Sequence, residues 1–348
     1  MQQKVARRQG GGSTIRDVAR QAGVSPMTVS RVINGEKSVR DSTRETVTAA
    51  IRDLNYAPNP AARSLASAEL IRIGLLYSNP SAAYLSEFLV GGMEQTSRSG
   101  AQLIIERCEE GGEAEAAAKL VGMGVDGIIL PPPICDSEAV LQTLAKSRTP
   151  AVAVATGHPA ASTSAVRIDD RAAAEALTQH LIDLGHRRIG FIKGHPNQTA
   201  SAQRYEGYLT AVARAGLPTD VALVTQGYFT YRSGLEAADQ LLSLATPPTA
   251  IFASNDDMAA ATVAVAHRLG LDVPRDLTVC GFDDSALATT IWPELTTIRQ
   301  PIADMSREAV TTLIEEIRAR RSGELTERRR TLLDFTLIRR QSDAPPKD

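Results

Sequence analysis

Ile15, Val18, Ala19 and Ala22 recur at three- and four-residue intervals, the spacing that lines one face of an amphipathic helix. Thr14 stands at the head of that run as its cap. Asp17, three residues on, supplies the carboxylate of a capping-box-like pair. Gly23 permits a tight turn, and Ser25 can cap a second helix. Pro26 fits the first turn of that helix because its missing amide proton is no loss there. Val29, Val32 and Ile33 then face the first helix. Pro26, Met27, Thr28, Ser30, Arg31 and Asn34 remain outside as a small, polar and cationic face suited to phosphates and base edges. Val47, Ala50, Ile51 and Leu54 predict a third helix that closes a small core. The whole reads as a helix-turn-helix.

From residue 70 to 341 the pattern changes to short β-rich runs alternating with Ala/Leu-rich amphipathic stretches. Strands are predicted at 71–78, 102–107, 127–130, 151–155, 189–193, 250–253 and 278–282. Helices are predicted at 171–184, 202–215, 233–244 and 257–269. Such alternation builds parallel sheets covered by helices on both faces, and the strands are too many for one sheet. Two doubly wound subdomains are therefore expected. Ligands in open α/β sheets bind beyond the carboxyl ends of strands, which draws attention to 78–85, Asn255-Asp256 and Asp283-Asp284.

Composition adds one asymmetry. The 348 residues carry a net charge of only −2. Residues 1–67, however, hold eleven Lys and Arg against five Asp and Glu, and the rest is acidic. The basic end favours a polyanion. The three cysteines, Cys108, Cys135 and Cys280, lie far apart without metal-ligand spacing and read as buried small hydrophobes in a reducing compartment. No metal and no cofactor is implied. There is no run of eighteen apolar residues, and the basic start lacks the apolar stretch of a signal peptide, so a cytoplasmic protein is expected.

The three-helix unit is followed by Asn55-Tyr56-Ala57-Pro58-Asn59-Pro60-Ala61-Ala62-Arg63-Ser64-Leu65-Ala66. Further on come Leu184-Gly185-His186-Arg187-Arg188-Ile189-Gly190-Phe191, Ser254-Asn255-Asp256-Asp257-Met258-Ala259, Gly281-Phe282-Asp283-Asp284 and Leu295-Thr296-Thr297-Ile298-Arg299-Gln300-Pro301. With these blocks in this order, nearly the whole chain resembles the LacI/GalR family of bacterial transcription regulators. The resemblance implies a multidomain protein, an all-α DNA-binding head joined to a periplasmic-binding-protein-like α/β core. The expected division is a disordered arm at 1–12, a helix-turn-helix domain at 13–58 and a hinge at 59–69. One core subdomain is expected at 70–168 plus 299–330 and the other at 169–298 plus 331–341, with a loose tail at 342–348. The chain should cross between subdomains near 167–170, 295–300 and 328–332.

On the same resemblance, Pro26, Met27 and Arg31 read bases, while Thr14, Ser25, Thr28, Ser30 and Asn34 contact phosphates. Arg31 can be bidentate to guanine and Met27 can touch a thymine methyl. The hinge offers only about two helical turns, too few to be stable alone in water. In the family, paired hinge helices enter the minor groove and wedge a leucine between bases; Leu65 matches that residue, with Asn59 and Ala62 beside it. In the core, Arg204, Asn255 and Asp283 match effector-contacting positions, offering the directional donors and acceptors that vicinal sugar hydroxyls need. Phe229 and Trp292, the only tryptophan, would add flat apolar faces. Tyr84 would border the cleft, and Asp169 would either contact the ligand or cap the following helix.

These readings converge on a repressor of carbohydrate-utilisation genes, a homodimer that leaves a pseudo-palindromic operator when a small sugar enters the core cleft. Dimer rather than tetramer follows from the absence of a leucine-heptad tail after Arg339-Arg340-Gln341. A purine-type corepressor is the alternative within the family. A carbohydrate hydrolase using Asp169, Asp256 or Asp283 is a weaker rival, since no pairing of two carboxyls across one bond is legible. Walker, Gly-x-Ser-x-Gly and His-Glu-x-x-His motifs are absent. The five histidines are scattered, with His186 placed where a helix C-terminus would stabilise its charge. A periplasmic solute receptor fits the core but not the basic head.

Overall fold

The computed structural model describes residues 13–33, 39–56, 70–109, 111–324 and 327–347. The arm at 1–12, the hinge at 59–69 and the expected DNA contacts Asn34, Asn59, Ala62 and Leu65 lie outside the described residues. Two compact units emerge, Met1–Leu70 and Ile71–Asp348.

In the first unit, helices α1 (Ile15–Ala22), α2 (Pro26–Ile33) and α3 (Asp41–Asp53) pack around Val18, Val29 and Val47, with Ala19, Val32 and Ala50 completing the buried set. The predicted caps form. Asp17 Oδ2 accepts from the Thr14 amide at 3.0 Å and from its hydroxyl at 2.6 Å. Ser25 Oγ accepts from the Thr28 amide at 3.1 Å. Gly23 ends α1 at φ 65°, a conformation that strains any residue with a Cβ.

The second unit holds two six-stranded sheets. In the first lobe, β1 (Arg72–Tyr77), β2 (Gln102–Arg107), β3 (Gly127–Leu130), β4 (Ala151–Val154), β5 (Ser164–Arg167) and β11 (Arg330–Leu332) align in the order β11-β5-β4-β3-β1-β2, all parallel. In the second, β6 (Ile189–Lys193), β7 (Val224–Gln226), β8 (Ala250–Ala253), β9 (Thr278–Asp283), β10 (Thr296–Arg299) and β12 (Thr336–Ile338) run in the order β12-β10-β9-β8-β6-β7, with only β12 antiparallel. Helices α4 (Ala82–Arg98), α5 (Glu113–Gly122), α6 (Glu138–Ser147) and α12 (Ile302–Ser322) cover the first sheet. The second sheet is covered by α7 (Asp170–Asp183), α8 (Thr199–Arg214), α9 (Tyr231–Leu242) and α10 (Asp256–Arg268), with the short α11 (Leu287–Thr290) packed on α10. Their apolar strands are buried on both faces, as parallel sheets require.

Three expectations need correction. The last crossing falls at 333–335 rather than 328–332, because β11 pairs with β5 in the first lobe before β12 returns to the second. The segment expected as a loose tail is pinned instead. Ser342 Oγ accepts from the Thr296 amide at 2.8 Å and donates to the Val279 carbonyl at 2.5 Å, while Asp343 meets His180 at 2.8 Å and the Thr296 hydroxyl. His186 does not serve as a charged partner of a helix end. It is buried between Thr249 Oγ1 and the Ala344 carbonyl, each at 2.9 Å, and burial lowers its pKa. A carbonyl can only accept, so Nε2 carries a proton. All three cysteines are buried and free, as expected.

Candidate nucleic-acid interface and ligand cleft

The sequence Ser25-Pro26 starts α2 with a side-chain cap, and Val29 and Val32 anchor one face in the core. The opposite face is thereby turned to solvent. Pro26, Met27 and Arg31 are exposed, Met27 to 64 %, and Thr28 and Ser30 are half-buried beside them. With Arg31 one turn further on, the face combines an apolar contact for a base methyl in the first turn with a cation in the last turn of a helix of eight residues. Thr14 and Ser25, both exposed, stand at the starts of α1 and α2, where hydroxyls and amides can meet phosphates.

In the second unit, the residues that line the cleft sit just beyond the carboxyl ends of strands or on the helices that follow. Asn79, Ser81 and Tyr84 follow β1, Pro132 follows β3 and Ala155 follows β4. Gln198, Ala200 and Arg204 follow β6, Phe229 follows β7, Asn255 follows β8, Asp283 ends β9 and Gln300 follows β10. Three of them bend the chain into positive φ without being glycine: Ala155 at 54°, Phe229 at 60° and Asp283 at 115°. Such strain persists only where the surroundings impose it, and it clusters at ligand sites. The cleft is partly open and has a volume of about 30 Å³.

Arg204 organises the polar side. Its Nε donates to Asp170 Oδ1 at 2.8 Å and its Nη1 to the Ser254 carbonyl at 2.6 Å, with Asp283 Oδ1 at 3.8 Å. The guanidinium lies 3.7 Å from the Phe282 ring centre and 5.7 Å from that of Phe229. Burial pushes the Asp283 carboxyl well above the usual range; Arg204 opposes the shift and Asp256 adds to it. Asp256 itself is pushed up to about 7, first by burial, while hydrogen bonds from Thr297 and Ser285 pull the other way. Asn255 is largely satisfied within the protein, accepting from the Met258 amide at 3.0 Å and donating to the Phe229 carbonyl at 3.1 Å. Two buried atoms on this wall lack any protein partner: the Tyr84 hydroxyl and Gln300 Oε1.

Tyr84, Arg204, Phe229, Asn255 and Asp283 thus come together as the sequence suggested. Two candidates do not. Asp169 caps α7, its Oδ1 accepting from the Ala172 amide at 2.9 Å, and lies off the cleft wall. Trp292 is 74 % exposed and also off the wall, because it precedes a short loop to β10 on the protein surface. Sequence reasoning missed Asp170, the buried partner of Arg204, although it adjoins Asp169. It also missed Gln300, which stands inside the Leu295–Pro301 block. A larger cavity of about 460 Å³ opens at the amino ends of β4 and β5. There Glu316 is held by Ser164 and by Arg328, and the ends of α6 and α12 are complemented by Arg148 and Arg320. Among the described residues no group of three or more His, Cys, Asp or Glu could hold a metal ion, and no helix is long and apolar enough to cross a membrane.

Both units match known protein families. Residues 14–59 match the bacterial regulatory proteins of the lacI family, and residues 178–342 match the periplasmic binding protein-like domain. Catabolite control protein A of Priestia megaterium is 36 % identical over 303 residues, 86 % of this chain and 91 % of its own length. The HTH-type transcriptional regulator CelR of Thermobifida fusca is 36 % identical over 94 % of this chain and 98 % of its own. The HTH-type transcriptional repressor PurR of Photobacterium profundum is 34 % identical over 88 % and 92 %. Among solved structures, a CelR–cellobiose complex superposes with a TM-score of 0.72 at 34 % identity, covering 95 % of this chain and 99 % of that one. A lac repressor dimer bound to operator and the anti-inducer ONPF reaches 0.82 at 27 % identity, covering 96 % and 100 %.

Proposed function

Because the chain belongs to the lacI family of bacterial regulatory proteins, we propose that this DNA-binding transcriptional regulator is a homodimeric repressor that releases its operator when a small sugar binds the core cleft. The observation that carries the sugar reading is the wall itself. A guanidinium, a carboxyl, a phenol and four amides line the cleft with the Phe229 ring, and two of their polar atoms are buried without partners. Polyhydroxylated ligands offer donors and acceptors on adjacent carbons, which suits such a wall. The solved relative with cellobiose points the same way. On the DNA side, Pro26, Met27 and Arg31 read base edges, with Thr14, Ser25, Thr28 and Ser30 on phosphates; Asn34, Asn59, Ala62 and Leu65 would add to these. The protein acts without catalysis, in the cytoplasm where operator DNA lies.

The cleft is narrow even for a monosaccharide, its volume of about 30 Å³ falling well below the roughly 300–1,000 Å³ of an ordinary ligand pocket. Sugar binding therefore favours a different lobe arrangement, and unequal affinity for two arrangements is what couples the cleft to DNA. The test is a thermal-shift panel of cellobiose, other disaccharides, pentoses, hypoxanthine and guanine, followed by operator titration with each hit. A ligand at a hundred times its Kd should stabilise by about 2.7 kcal/mol. Stabilisation by nucleobases alone would replace the sugar reading with the corepressor one.

A further inference from the structure

A carboxylate of one lobe caps a helix of the other. Asp136 closes the short turn Ile134–Asp136 after β3, in the first lobe. Its Oδ2 accepts from both the amide and the hydroxyl of Thr199, each at 2.8 Å, and Thr199 is the first residue of α8 in the second lobe. Its Oδ1 accepts from the Thr156 hydroxyl at 2.6 Å. Thr199 Oγ1 in turn accepts from the Gly157 amide at 2.7 Å. The lobes touch so tightly here that a Cβ on Gly157 would lie 2.9 Å from the Thr199 carbonyl.

The helix needs this contact. Its N-terminal amides have no partner within the helix, and the residue at its own cap position, Gln198, gives no side-chain bond. An anion placed there is favoured by the helix dipole as well as by hydrogen bonding. At the other rim, the Ser81 hydroxyl at the start of α4 donates to Asp257 of α10 at 2.7 Å, a second tie between the lobes. Arg204 stands on α8 five residues beyond Thr199, so the bond that fixes the start of α8 also fixes the reach of the guanidinium into the cleft.

We propose that Asp136 is a positioning residue that latches the cleft shut before any effector arrives, so that entry of an effector requires the Asp136–Thr199 contact to break. The latch itself requires no knowledge of the effector; only its consequence for entry rests on the sugar-sensing reading. Asp136 sets the fraction of molecules open to ligand, and through it the rate of effector capture.

The experiment uses the full-length, ligand-free protein. Spin labels on Lys146→Cys and Arg232→Cys, exposed on α6 and α9, report the distance between lobes, since the three native cysteines are buried and resist labelling. Parent protein should give one short distance. Asp136→Ala and Thr199→Val should each populate a longer one, Asp136→Ala raising the open fraction about tenfold or more, the scale for loss of charge-assisted hydrogen bonds. Because the two residues share one contact while Thr199→Val also removes the bond from the Gly157 amide, the double variant should open further than either single variant but by less than the two effects combined. Native-state amide exchange should show faster exchange at Thr199 and Gly157 in Asp136→Ala, with the rest of α8 unchanged, which separates unlatching from local unfolding. An unchanged distance distribution in both single variants, or effects that simply add in the double variant, would overturn the proposal. Neither result depends on which ligand the cleft binds.

Discussion

Arg204 Nε donates to Asp170 Oδ1 at 2.8 Å, joining α8 to the first turn of α7 through a fully buried ion pair beside the cleft. A buried pair of this kind is weak evidence for stability but strong evidence of interdependence: deleting one member leaves the other charged, desolvated and alone. Arg204→Ala should therefore destabilise the core by about 3–5 kcal/mol as well as abolish effector binding. Arg204→Lys keeps the charge but loses the fork that serves Asp170 and the Ser254 carbonyl together. It should retain more stability than Arg204→Ala while effector affinity still falls at least tenfold, measured by urea unfolding and calorimetry. Equal stability of all three proteins would show that the pair is solvated in solution.

Asp256 makes the fold sensitive to pH. Its folded pKa, about 7, lies above the ordinary value of 3.8, so the folded protein binds a proton more tightly than the unfolded chain. That contribution is fully present below about pH 4 and is lost as pH climbs through about 7. Its size is on the order of 4 kcal/mol. Asp256→Asn is neutral throughout and can keep both contacts, Oδ1 facing the Ser285 amide and Nδ2 the Thr297 hydroxyl. The gap between unfolding free energies at pH 5 and pH 8 should be smaller in this variant than in the parent, though not closed, because the buried Asp283 carboxyl still titrates above its usual range. A parent curve that rises over this interval would contradict the assignment.

The pinned C-terminal segment predicts that truncation is not silent. Removing residues 342–347 would strand the Thr296 amide, the Val279 carbonyl and His180, each bonded to Ser342 or Asp343. At about 1–3 kcal/mol for each buried group left unpaired, a deletion after Gln341 should lower Tm by several degrees, whereas a loose tail would leave it unchanged.

What the sequence disclosed follows from which forces are local. The three helices of the head were legible from their amphipathic faces and, in two of them, their caps, and the buried strands at 127–130, 189–193 and 250–253 were legible to the residue because each is a continuous apolar run. β5, β7, β10, β11 and β12 were not, because Ser164–Arg167, Val224–Gln226, Thr296–Arg299, Arg330–Leu332 and Thr336–Ile338 are three or four residues long and interrupted or flanked by polar residues. Only pairing with a distant strand makes them strands. The same reason hid the tail, whose Ser-Asp-Ala-Pro-Pro reads as loop until Thr296 and His180 stand beside it. In the cleft, single residue types carried by motif were legible, as with Arg204 and Asp283. Their division of labour was not: Asp169 and Asp170 are adjacent and chemically identical, yet one caps a helix and the other neutralises Arg204.

The recognition helix allows a direct separation of base reading from phosphate contact. Arg31→Ala should weaken operator binding by about 1–3 kcal/mol while leaving binding to unrelated DNA nearly as strong. Ser25→Ala should weaken both, and it should also lower the stability of the head by about 1 kcal/mol, since Ser25 caps α2. Operator and random duplexes compared at two salt concentrations check both variants. Equal losses on both duplexes for Arg31→Ala would place that residue on the backbone.

Tyr84 offers a test in which stability and function move in opposite directions. Its ring is buried against Phe88, with centroids 6.3 Å apart, and its hydroxyl has no protein partner, a desolvated polar atom that the ligand-free fold tolerates at a cost. Burial, with Asp283 nearby, also raises its pKa well above the ordinary range, so the group remains a neutral donor at physiological pH. Tyr84→Phe keeps the ring packing and removes only the unpaired hydroxyl. The ligand-free protein should become more stable by about 1 kcal/mol, because nothing is lost in the fold and a desolvation penalty is relieved. Effector affinity should fall five- to tenfold, because the hydroxyl is then missing where a sugar oxygen would accept its proton. Urea unfolding of the apo protein and calorimetry with the effector found by thermal shift read the two halves separately. A variant that loses stability would mean the hydroxyl is hydrogen-bonded in the ligand-free fold, and one that binds effector as tightly as the parent would take Tyr84 out of the binding wall.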